Sequence, residues 1–242
     1  MNNLKITIIG NSVALRTRPP REYPNQKNYG IILEQLLSDE IVKKVIVTNK
    51  AIGGTIISDV VKNIDCYVNT FADYYIINLG VVDASNREIP YWYFKIINSK
   101  LESGIRLVLK NLYLKIIKPV RPFLVKIRGY RSWTSERKFN KLFEKLIGYL
   151  AKETNSKIII LPINKTTDRI KNELPGSEKK YDQYNKIMEN ISTKYNQIFV
   201  KIDDLKPEIH NPDGIHYSKT GHELVAQKIA KKILEVNKLY DR

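Results

Sequence analysis

The sequence predicts an α/β fold, in which a central, mostly parallel sheet of five strands lies between two layers of helices. Three observations indicate it. Short apolar runs rich in isoleucine, valine and leucine recur along the chain, and the first and third are followed directly by, or end in, glycine. Segments with apolar residues at three- and four-residue steps separate these runs, and such alternation is typical of parallel sheets covered by helices. The length of 242 residues suits one domain.

Five apolar runs have the length of buried strands. The first reads LKITIIG and the third reads YYIINL, and neither contains a polar break long enough for a turn. The predicted strands are residues 4–10, 42–48, 74–79, 157–162 and 198–202.

Six further segments have the apolar spacing of amphipathic helices. Between predicted strands they supply the crossovers that parallel strands need. The predicted helices are residues 29–37, 56–68, 92–118, 135–153, 181–194 and 223–236.

Cysteine usage and the absence of apolar targeting segments bear on location. The chain has one cysteine, Cys66, so no disulfide can form within it. Cys66 sits in no recognisable motif and is predicted to be a buried, inert thiol. The N-terminal apolar run is about five residues, shorter than a signal-peptide core, and no run reaches the roughly 18–20 residues of a membrane span. We therefore expect a cytoplasmic protein.

Positive charge is concentrated in residues 91–141, which we call the basic segment. It holds 13 Lys and Arg against two acids, and so carries about +11 of the formal net charge of +16. We expect one domain over residues 1–242 with a basic, amphipathic helical insertion at about residues 90–140. Charge this local implies an acidic partner.

Within the basic segment, residues 92–118 are predicted to form one helix with an apolar stripe. Three interpretations remain open. In the first, the stripe packs on the domain. In the second, residues 92–141 bind an anionic membrane surface, which would make the protein peripheral on the inner face of the membrane. Nucleic-acid binding is the least favoured, because no recognition motif is visible. The stripe consists of Phe94, Ile97, Leu101, Ile105, Val108, Leu112 and Ile116, with Lys95, Lys100, Arg106, Lys110 and Lys118 largely on the other side.

Residues suited to nucleophilic catalysis occur near both ends of the chain. Ser12 follows the first predicted strand, and the carboxyl ends of parallel strands are where open α/β sheets bind ligands. Asp213 precedes His216 by three residues. An aspartate at Nδ1 of an imidazole fixes its tautomer, which leaves Nε2 to accept a serine proton. Taken separately, Ser12 can equally be a helix cap and Asp213 a turn residue beside a surface histidine.

Four segments in order resemble the sequence blocks of the SGNH/GDSL hydrolases. The first is Gly10-Asn11-Ser12, similar to the family's Gly-Asp-Ser, and the last is Asp213-Gly214-Ile215-His216, similar to its Asp-x-x-His. Between them, residues 49–55 (NKAIGGT) resemble the second block, and residues 79–83 (LGVVD) resemble the third, usually Gly-x-Asn-Asp. The resemblance covers the chain except the basic insertion, and the joint occurrence is much more specific than any single block.

The resemblance implies a fold, an activity and a set of roles. The fold would be SGNH hydrolase-like and flavodoxin-like, and the activity hydrolysis of acyl esters without a cofactor. Ser12 would be the nucleophile, His216 the general base and then acid, and Asp213 its orienting partner. The backbone N–H groups of Ser12 and Gly54 would bind the oxyanion, a role in which one donor is typically worth about 10²–10³ in rate.

Two positions depart from the family pattern. Asn11 replaces the usual aspartate but keeps a side chain that can hydrogen-bond the turn. Val82 stands where the family has an asparagine whose amide is the third oxyanion donor, and valine cannot donate. We expect either that Asn86 fills this role or that the hole has two donors. Asp83 is predicted to be structural, tying down the loop after the third strand.

The predicted reaction is removal of an acyl group, first of all O-acetyl, from a carbohydrate or glycolipid. A lysophospholipase, a thioesterase or an acyltransferase would use the same triad. A non-catalytic glycan- or lipid-binding module is the alternative of another class, which Val82 favours and the complete triad disfavours. His210 and His222 are predicted to be structural, and no spacing of histidines or cysteines suggests a metal site.

Overall fold

The central sheet has five strands, all of them parallel, in the order β2-β1-β3-β4-β5. The structure is a computed structural model that describes residues 3–15, 27–99 and 103–240, the last three as backbone only. This strand order is that of flavodoxin-like, doubly wound sheets, and it confirms the predicted fold class. The strands are β1 (Leu4–Gly10), β2 (Val45–Asn49), β3 (Tyr74–Asn78), β4 (Lys157–Ile160) and β5 (Ile198–Phe199).

Helices cover the sheet in two layers. Helices α1 and α12 pack against each other, and α8 packs against α2 and α10. Both layers bury isoleucine- and leucine-rich faces against the strands, so the main core lies on the two faces of the sheet. The helices are α1 (Tyr29–Glu40), α2 (Ile57–Lys62), α3 (Asp65–Val68), α4 (Val81–Ala84), α5 (Tyr91–Ile97), α6 (Gly104–Leu112), α7 (Arg121–Ile127), α8 (Glu136–Glu153), α9 (Asp168–Glu173), α10 (Ser177–Lys194), α11 (Pro207–His210) and α12 (Lys219–Tyr240).

The predicted strands exist, but three boundaries differ by two residues or more. The predicted start of the second strand at residue 42 is wrong, because α1 continues to Glu40 and Val42 lies in the connection, 94% exposed. The fourth strand ends earlier than predicted, at Ile160, and the fifth is reduced to Ile198–Phe199. β5 is an edge strand that pairs only with β4, and the pairing between the two strands extends over two residues of each.

The predicted helix over residues 56–68 is two helices. Asn63 ends α2, and its side-chain amide donates to the carbonyl of Asp59 at 2.8 Å. Asparagine side chains compete with helical backbone bonds in this way. In the short α3, Tyr67 is buried while Cys66 is exposed, so the prediction of a buried thiol is wrong. Neighbouring residues of a helix point about 100° apart, so Tyr67 faces the core while Cys66 faces solvent.

The predicted helix over residues 92–118 is also divided. α5 ends at Ile97, and α6 begins after Ser103, whose hydroxyl accepts a hydrogen bond from the N–H of Arg106 at 3.2 Å. A π-helical turn, Tyr113–Ile117, continues α6. Lys100, Leu101 and Glu102 lie outside the described residues.

The inward face of α6 and the π-helical turn is not the predicted stripe. Leu109, Tyr113 and Ile117 pack against a small cluster that contains Tyr93 and Ile97. By contrast, Ile105, Val108 and Ile116 of the predicted stripe are 74%, 67% and 60% exposed. The interpretation in which the whole stripe packs on the domain is therefore wrong.

An ionic cluster fixes the second half of the basic segment. The guanidinium of Arg121 donates to Glu88 and to Glu173, both at 3.0 Å, and the Tyr113 hydroxyl donates to Glu88 at 2.7 Å. Arg121 and Glu88 are mostly shielded from solvent, and breaking such a pair on one side typically costs about 3–5 kcal/mol. The segment is thus held in a defined orientation.

Candidate active site

Ser12 lies directly beyond β1, where the chain turns out of the sheet. The N–H of Asn11 donates to the carbonyl of Asn78 at the end of β3, at 3.2 Å. The Asn11 side chain accepts a hydrogen bond from the N–H of Val13 at 3.1 Å and caps the 3₁₀ turn Ser12–Ala14. Ser12 is thereby held, partly exposed, at the carboxyl edge of the sheet.

Asp213 and His216 lie on the loop between α11 and α12. The N–H groups of Ile215 and His216 donate to Asp213 Oδ1 at 2.9 and 2.7 Å, so the loop folds around the carboxylate. Gly214 has φ +80°, and a Cβ at this position would lie 2.3 Å from Cγ1 of Ile170. The loop therefore requires glycine between the two side chains that it presents.

A continuous chain of hydrogen bonds joins the three predicted triad residues. Asp213 Oδ2 lies 2.7 Å from His216 Nδ1, and His216 Nε2 lies 2.9 Å from Ser12 Oγ. Because Nδ1 faces a carboxylate, we assign the imidazole proton to Nδ1, which leaves Nε2 able to accept the proton of Ser12. The sheet thus brings together side chains that are 204 positions apart in the chain.

The environment of Asp213 favours its ionised form. Burial by itself raises the pKa of Asp213, but the hydrogen bond and charge of His216 and the N–H groups of His216 and Ile215 outweigh it, so the pKa lies below its ordinary value. The carboxylate is therefore available to stabilise an imidazolium at neutral pH.

The loop after β2 carries two glycines, and the first of them, Gly53, lies beside Ser12. The N–H of Ile52 donates to the carbonyl of Gly10 at 3.1 Å, and a Cβ at Gly53 would lie 4.0 Å from Ser12 Cβ. Gly54 has φ +75°, in the left-handed region. Within the described residues, the N–H groups of Ser12 and Gly54 donate to no acceptor. Free backbone donors next to a nucleophile fit an oxyanion hole.

The sequence profile of one protein family, described as GDSL-like Lipase/Acylhydrolase, matches residues 6–229. The chain belongs to this family. The match runs from β1 into α12 and includes Ser12, Gly54, Asp213 and His216. It confirms the resemblance seen in the sequence blocks, and it assigns this GDSL-like protein to the ester hydrolases.

Solved structures have the same fold. One is a lipase/acylhydrolase from Enterococcus faecalis (TM-score 0.63, 15% identity, covering 95% of this chain and 94% of that one). Another is an acetylxylan esterase from Geobacillus stearothermophilus (TM-score 0.60, 18% identity, 95% and 93%). A third is an alpha/beta hydrolase enzyme from the metagenome of Lake Arreo, Spain (TM-score 0.60, 15% identity, 93% and 92%). At these identities the likeness concerns the fold alone. No curated protein sequence matches the chain.

The third block of this GDSL-like protein lies in α4. Val82 is buried there and offers no donor in place of the family's asparagine. Asp83 is fully buried and accepts hydrogen bonds from the N–H of Ile57 at 3.0 Å and from the hydroxyl of Thr134 at 2.6 Å. Burial raises the pKa of Asp83 to about 7, against the effect of these two bonds. Asp83 thus ties α4 to the start of α2, just beyond Gly54.

Asn86 has partners other than the triad. Its N–H donates to Ser177 Oγ at 2.9 Å, and its side-chain amide donates to the carbonyl of Pro175 at 2.8 Å. It is fully buried and pairs with Ser132 in an isolated bridge. No hydrogen bond joins Asn86 to Ser12 or to any other triad residue, so this geometry lends no support to the predicted oxyanion role.

The sequence prediction missed an aromatic cluster that covers the loop after β2 (residues 50–55), which we call the oxyanion loop because it contains the predicted oxyanion donor Gly54. A Cβ at Gly54 would lie 2.9 Å from Cε1 of Phe94, so that ring touches the glycine. The centroid of Trp133 lies 4.6 Å from that of Phe94 and 5.0 Å from that of Tyr91. The Tyr91 hydroxyl in turn donates to the carboxylate of Asp59. The run of aromatic residues at 91–94 was a signal for this cluster, but residues 92–118 were predicted only as one amphipathic helix.

The two remaining histidines make structural contacts. Nδ1 of the buried His222 accepts a hydrogen bond from the N–H of Tyr29 at 3.2 Å, which joins α12 to α1. His210 Nδ1 accepts one from the N–H of Lys206 at 2.8 Å. Burial, and to a smaller extent the charge of His216, lower the pKa of His222 to about 3. Among the described residues, no three His, Cys, Asp or Glu side chains cluster as metal ligands would.

We expect the protein to lose stability as the pH falls from about 6.5 towards 3, because unfolded His222 takes up a proton that the folded chain excludes. One such proton contributes up to about 1.4 kcal/mol per pH unit over that range. The variant His222→Asn keeps an acceptor for Tyr29 but cannot titrate. Urea unfolding of both proteins at several pH values from neutral to acid measures how the free energy of unfolding depends on pH. The same pH dependence in the two proteins would contradict the lowered pKa of His222.

Proposed function

We propose that this ester hydrolase removes small acyl groups, above all O-acetyl, from a carbohydrate or glycolipid through an acyl-enzyme on Ser12. The observation that carries the proposal is the chain of hydrogen bonds from Ser12 through His216 to Asp213, at 2.9 and 2.7 Å. Nucleophile, base and orienting acid in this order are the requirements of acyl transfer to serine.

In the first half of the reaction, Ser12 Oγ attacks the ester carbonyl carbon while His216 Nε2 takes the hydroxyl proton. The carbonyl electron pair moves to oxygen, and the N–H groups of Ser12 and Gly54 donate to this oxyanion. When the intermediate collapses, the bond to the alcohol oxygen breaks and His216 returns the proton to that oxygen. Water then attacks the acyl-enzyme by the same steps, which releases the acid and restores Ser12.

Valine at position 82 has no hydrogen-bond donor, so we propose that the oxyanion hole has two donors, the N–H groups of Ser12 and Gly54. One oxyanion donor is typically worth about 10²–10³ in rate, so we expect this enzyme to turn over more slowly than a relative with three. Asn86 as a third donor would require a rearrangement of its bond to Pro175.

A small cavity beside the triad loops supports the preference for acetyl. Its volume is about 10 Å³, enough for roughly one water-sized or methyl-sized group. It is lined by Val13, which follows Ser12, and by Gly214 and Ile215, which lie between Asp213 and His216. Val81 and Ile163 contribute further apolar walls.

We expect the ratio kcat/KM to fall at least about tenfold when a two-carbon acyl chain is lengthened to four carbons, because one methylene misfitted in a pocket costs about 1–3 kcal/mol. Hydrolysis of a series of p-nitrophenyl esters measures it. Val81→Ala should enlarge the cavity and so reduce the difference in kcat/KM between the two-carbon and four-carbon esters. Val42→Ala, at an exposed position, should leave this difference unchanged. Equal rates for short and long chains would contradict the acetyl preference.

The same triad would serve three other reactions. A preference for eight-carbon or longer acyl chains would favour a lysophospholipase or a thioesterase. An ester product formed when an acceptor alcohol is added would favour acyl transfer over hydrolysis.

The alternative of another class is a glycan- or lipid-binding module without turnover. Val82 favours it and the complete triad disfavours it. A fluorophosphonate probe, which reacts only with an activated serine, separates the two. If the folded wild-type protein neither reacts with the probe nor cleaves acetyl esters, hydrolysis is wrong and the binding module stands.

We also propose that the protein acts in the cytoplasm, attached peripherally to the inner face of a membrane. The charge of the basic segment supports this location, since basic residues near anionic lipid add about 1 kcal/mol each. None of the described helices is long and apolar enough to cross a membrane.

A further inference from the structure

The outward surface of the basic segment is strongly apolar. In the described part of the chain, no residue of α6 or of the π-helical turn is buried. The surface continues into α7, where Phe123 and Ile127 are 63% and 64% exposed. Large exposed apolar patches mark surfaces that bind a partner. The exposed apolar side chains are Ile105, Leu107, Val108, Leu112, Leu114, Ile116, Val120, Phe123 and Ile127.

The same surface carries unneutralised positive charge. Residues 103–135 include eight Lys and Arg and no Asp or Glu. Arg121 is paired inward with Glu88 and Glu173. Four exposed lysines of this stretch make no ion pair with any described residue: Lys110, Lys115, Lys118 and Lys126.

The inward surface of α6 and the π-helical turn already packs against α5. The outward side chains therefore have no surface to pack against within the described chain. Leu109 and Ile117 pack inward, and the Tyr93 hydroxyl donates to the carbonyl of Leu109 at 2.9 Å. The pair Arg121–Glu88 fixes the approach of α7. The exposed apolar face is therefore held outward by the fold.

We propose that the outward face of residues 105–127 is a docking surface that inserts into an anionic lipid bilayer. Aliphatic side chains interleaved with lysines match an interface in which acyl chains lie beneath acidic headgroups. Two copies of this chain docked through the same face would bring their lysines together, which is unfavourable. A nucleic acid would pair with the lysines but leave the aliphatic side chains in water.

Docking in this way holds the candidate active site near the membrane surface, with α5 and α6 between the site and the lipid. α5 packs Tyr93 and Ile97 against the inner side of α6, and its Phe94 touches Gly54 of the oxyanion loop. The enzyme would then meet acyl esters carried by membrane-borne molecules, which selects glycolipids over free saccharides. This last step rests on the proposed hydrolysis, whereas docking itself does not.

The first test is binding to vesicles in the absence of substrate. The protein should sediment with vesicles of phosphatidylcholine containing one third phosphatidylglycerol, but not with pure phosphatidylcholine. Binding should be lost at about 1 M salt, where the Debye length is about 3 Å. Changing Lys110, Lys115, Lys118 and Lys126 to glutamine should weaken binding by about 100-fold or more, since each contributes about fivefold. The same change at the exposed Lys43, Lys44, Lys201 and Lys231 should have a much smaller effect.

The second test locates the inserted face. Cys66 is exposed and is first replaced by serine, and a polarity-sensitive fluorophore is attached to Val108→Cys or, as a control, to Val42→Cys. Anionic vesicles should shift the emission of the probe to the blue at position 108 only. Ile105→Ser with Val108→Ser should weaken vesicle binding about tenfold or more, because each loses buried apolar area, and Val42→Ser with Phe71→Ser should not. Circular dichroism confirms that each variant is folded.

Three outcomes would overturn docking. They are no sedimentation of the wild-type protein, equal losses in the two lysine variants, and a spectral shift at both labelled positions. A shift from dimer to monomer in Ile105→Ser with Val108→Ser, without vesicle binding, would assign the face to a contact between copies instead. Ser12→Ala should bind vesicles like the wild type, so a failure of the proposed hydrolysis leaves this test intact.

Discussion

Replacing Ser12 with alanine is expected to lower kcat for an acetyl ester by about 10⁴-fold or more, in the range found when a serine nucleophile is removed. The physical reason is that, in the proposed mechanism, Oγ forms the acyl-enzyme, and it lies 2.9 Å from Nε2 of His216, the proposed base. Without it, His216 has no hydroxyl to activate, and only binding and the oxyanion donors remain. Labelling by a fluorophosphonate probe should disappear completely in the same variant.

Ser99→Ala is the matched control, because among the described residues the hydroxyl of Ser99 donates only to the carbonyl of Ile96. It should retain labelling and turnover. If Ser12→Ala remains folded and keeps labelling or more than a tenth of its activity, the nucleophile lies elsewhere and the triad assignment fails.

Replacing Asp213 with asparagine is expected to lower kcat by about 10⁴-fold while KM changes little, as for the equivalent change in a serine protease triad. The carboxylate accepts from Nδ1 of His216 at 2.7 Å. An asparagine amide in that position donates instead, so the imidazole carries its proton on Nε2. That nitrogen then faces Ser12 as a donor and cannot take the hydroxyl proton.

Asp203→Asn makes the same chemical change at an exposed aspartate before α11 and should leave kcat within about twofold, since surface substitutions are usually small in effect. Initial rates over a range of acetyl ester concentrations separate kcat from KM. A loss of less than tenfold in Asp213→Asn, or a similar loss in both variants, would remove Asp213 from the catalytic set.

The strands were predictable because a buried parallel strand must be apolar on both faces. β1 and β3 are uninterrupted apolar runs, and both were found at nearly the predicted positions. Boundaries were less predictable where a neighbour decides them. β5 is an edge strand of two residues, although its apolar run continues to Ile202.

The catalytic geometry was predictable only through the joint occurrence of the sequence blocks. The three-residue spacing of Asp213 and His216 placed both side chains on one loop. The position of Ser12 directly after β1 placed it at the carboxyl edge of the sheet. The sequence contained no equivalent signal for Asn86, whose partners Pro175 and Ser177 come from the distant start of α10.

The basic segment shows where periodicity fails. From Ile105 to Ile117 apolar residues occur on nearly every side of the helix, so the pattern could not tell which side packs. Leu109 and Ile117 face inward because α5, across a break in the helix, offers Tyr93 and Ile97 to that side.

The sequence by itself determined the fold class, the family and the candidate nucleophile, base and acid, because these depend on apolar runs and on residue types at fixed places in short loops. Only the tertiary structure decided which face of α6 is exposed, that Cys66 lies at the surface, that Phe94 covers Gly54 and that Asn86 bonds to Pro175. Each of these depends on which distant segment arrives to pack or to accept a hydrogen bond, and local sequence does not encode that choice.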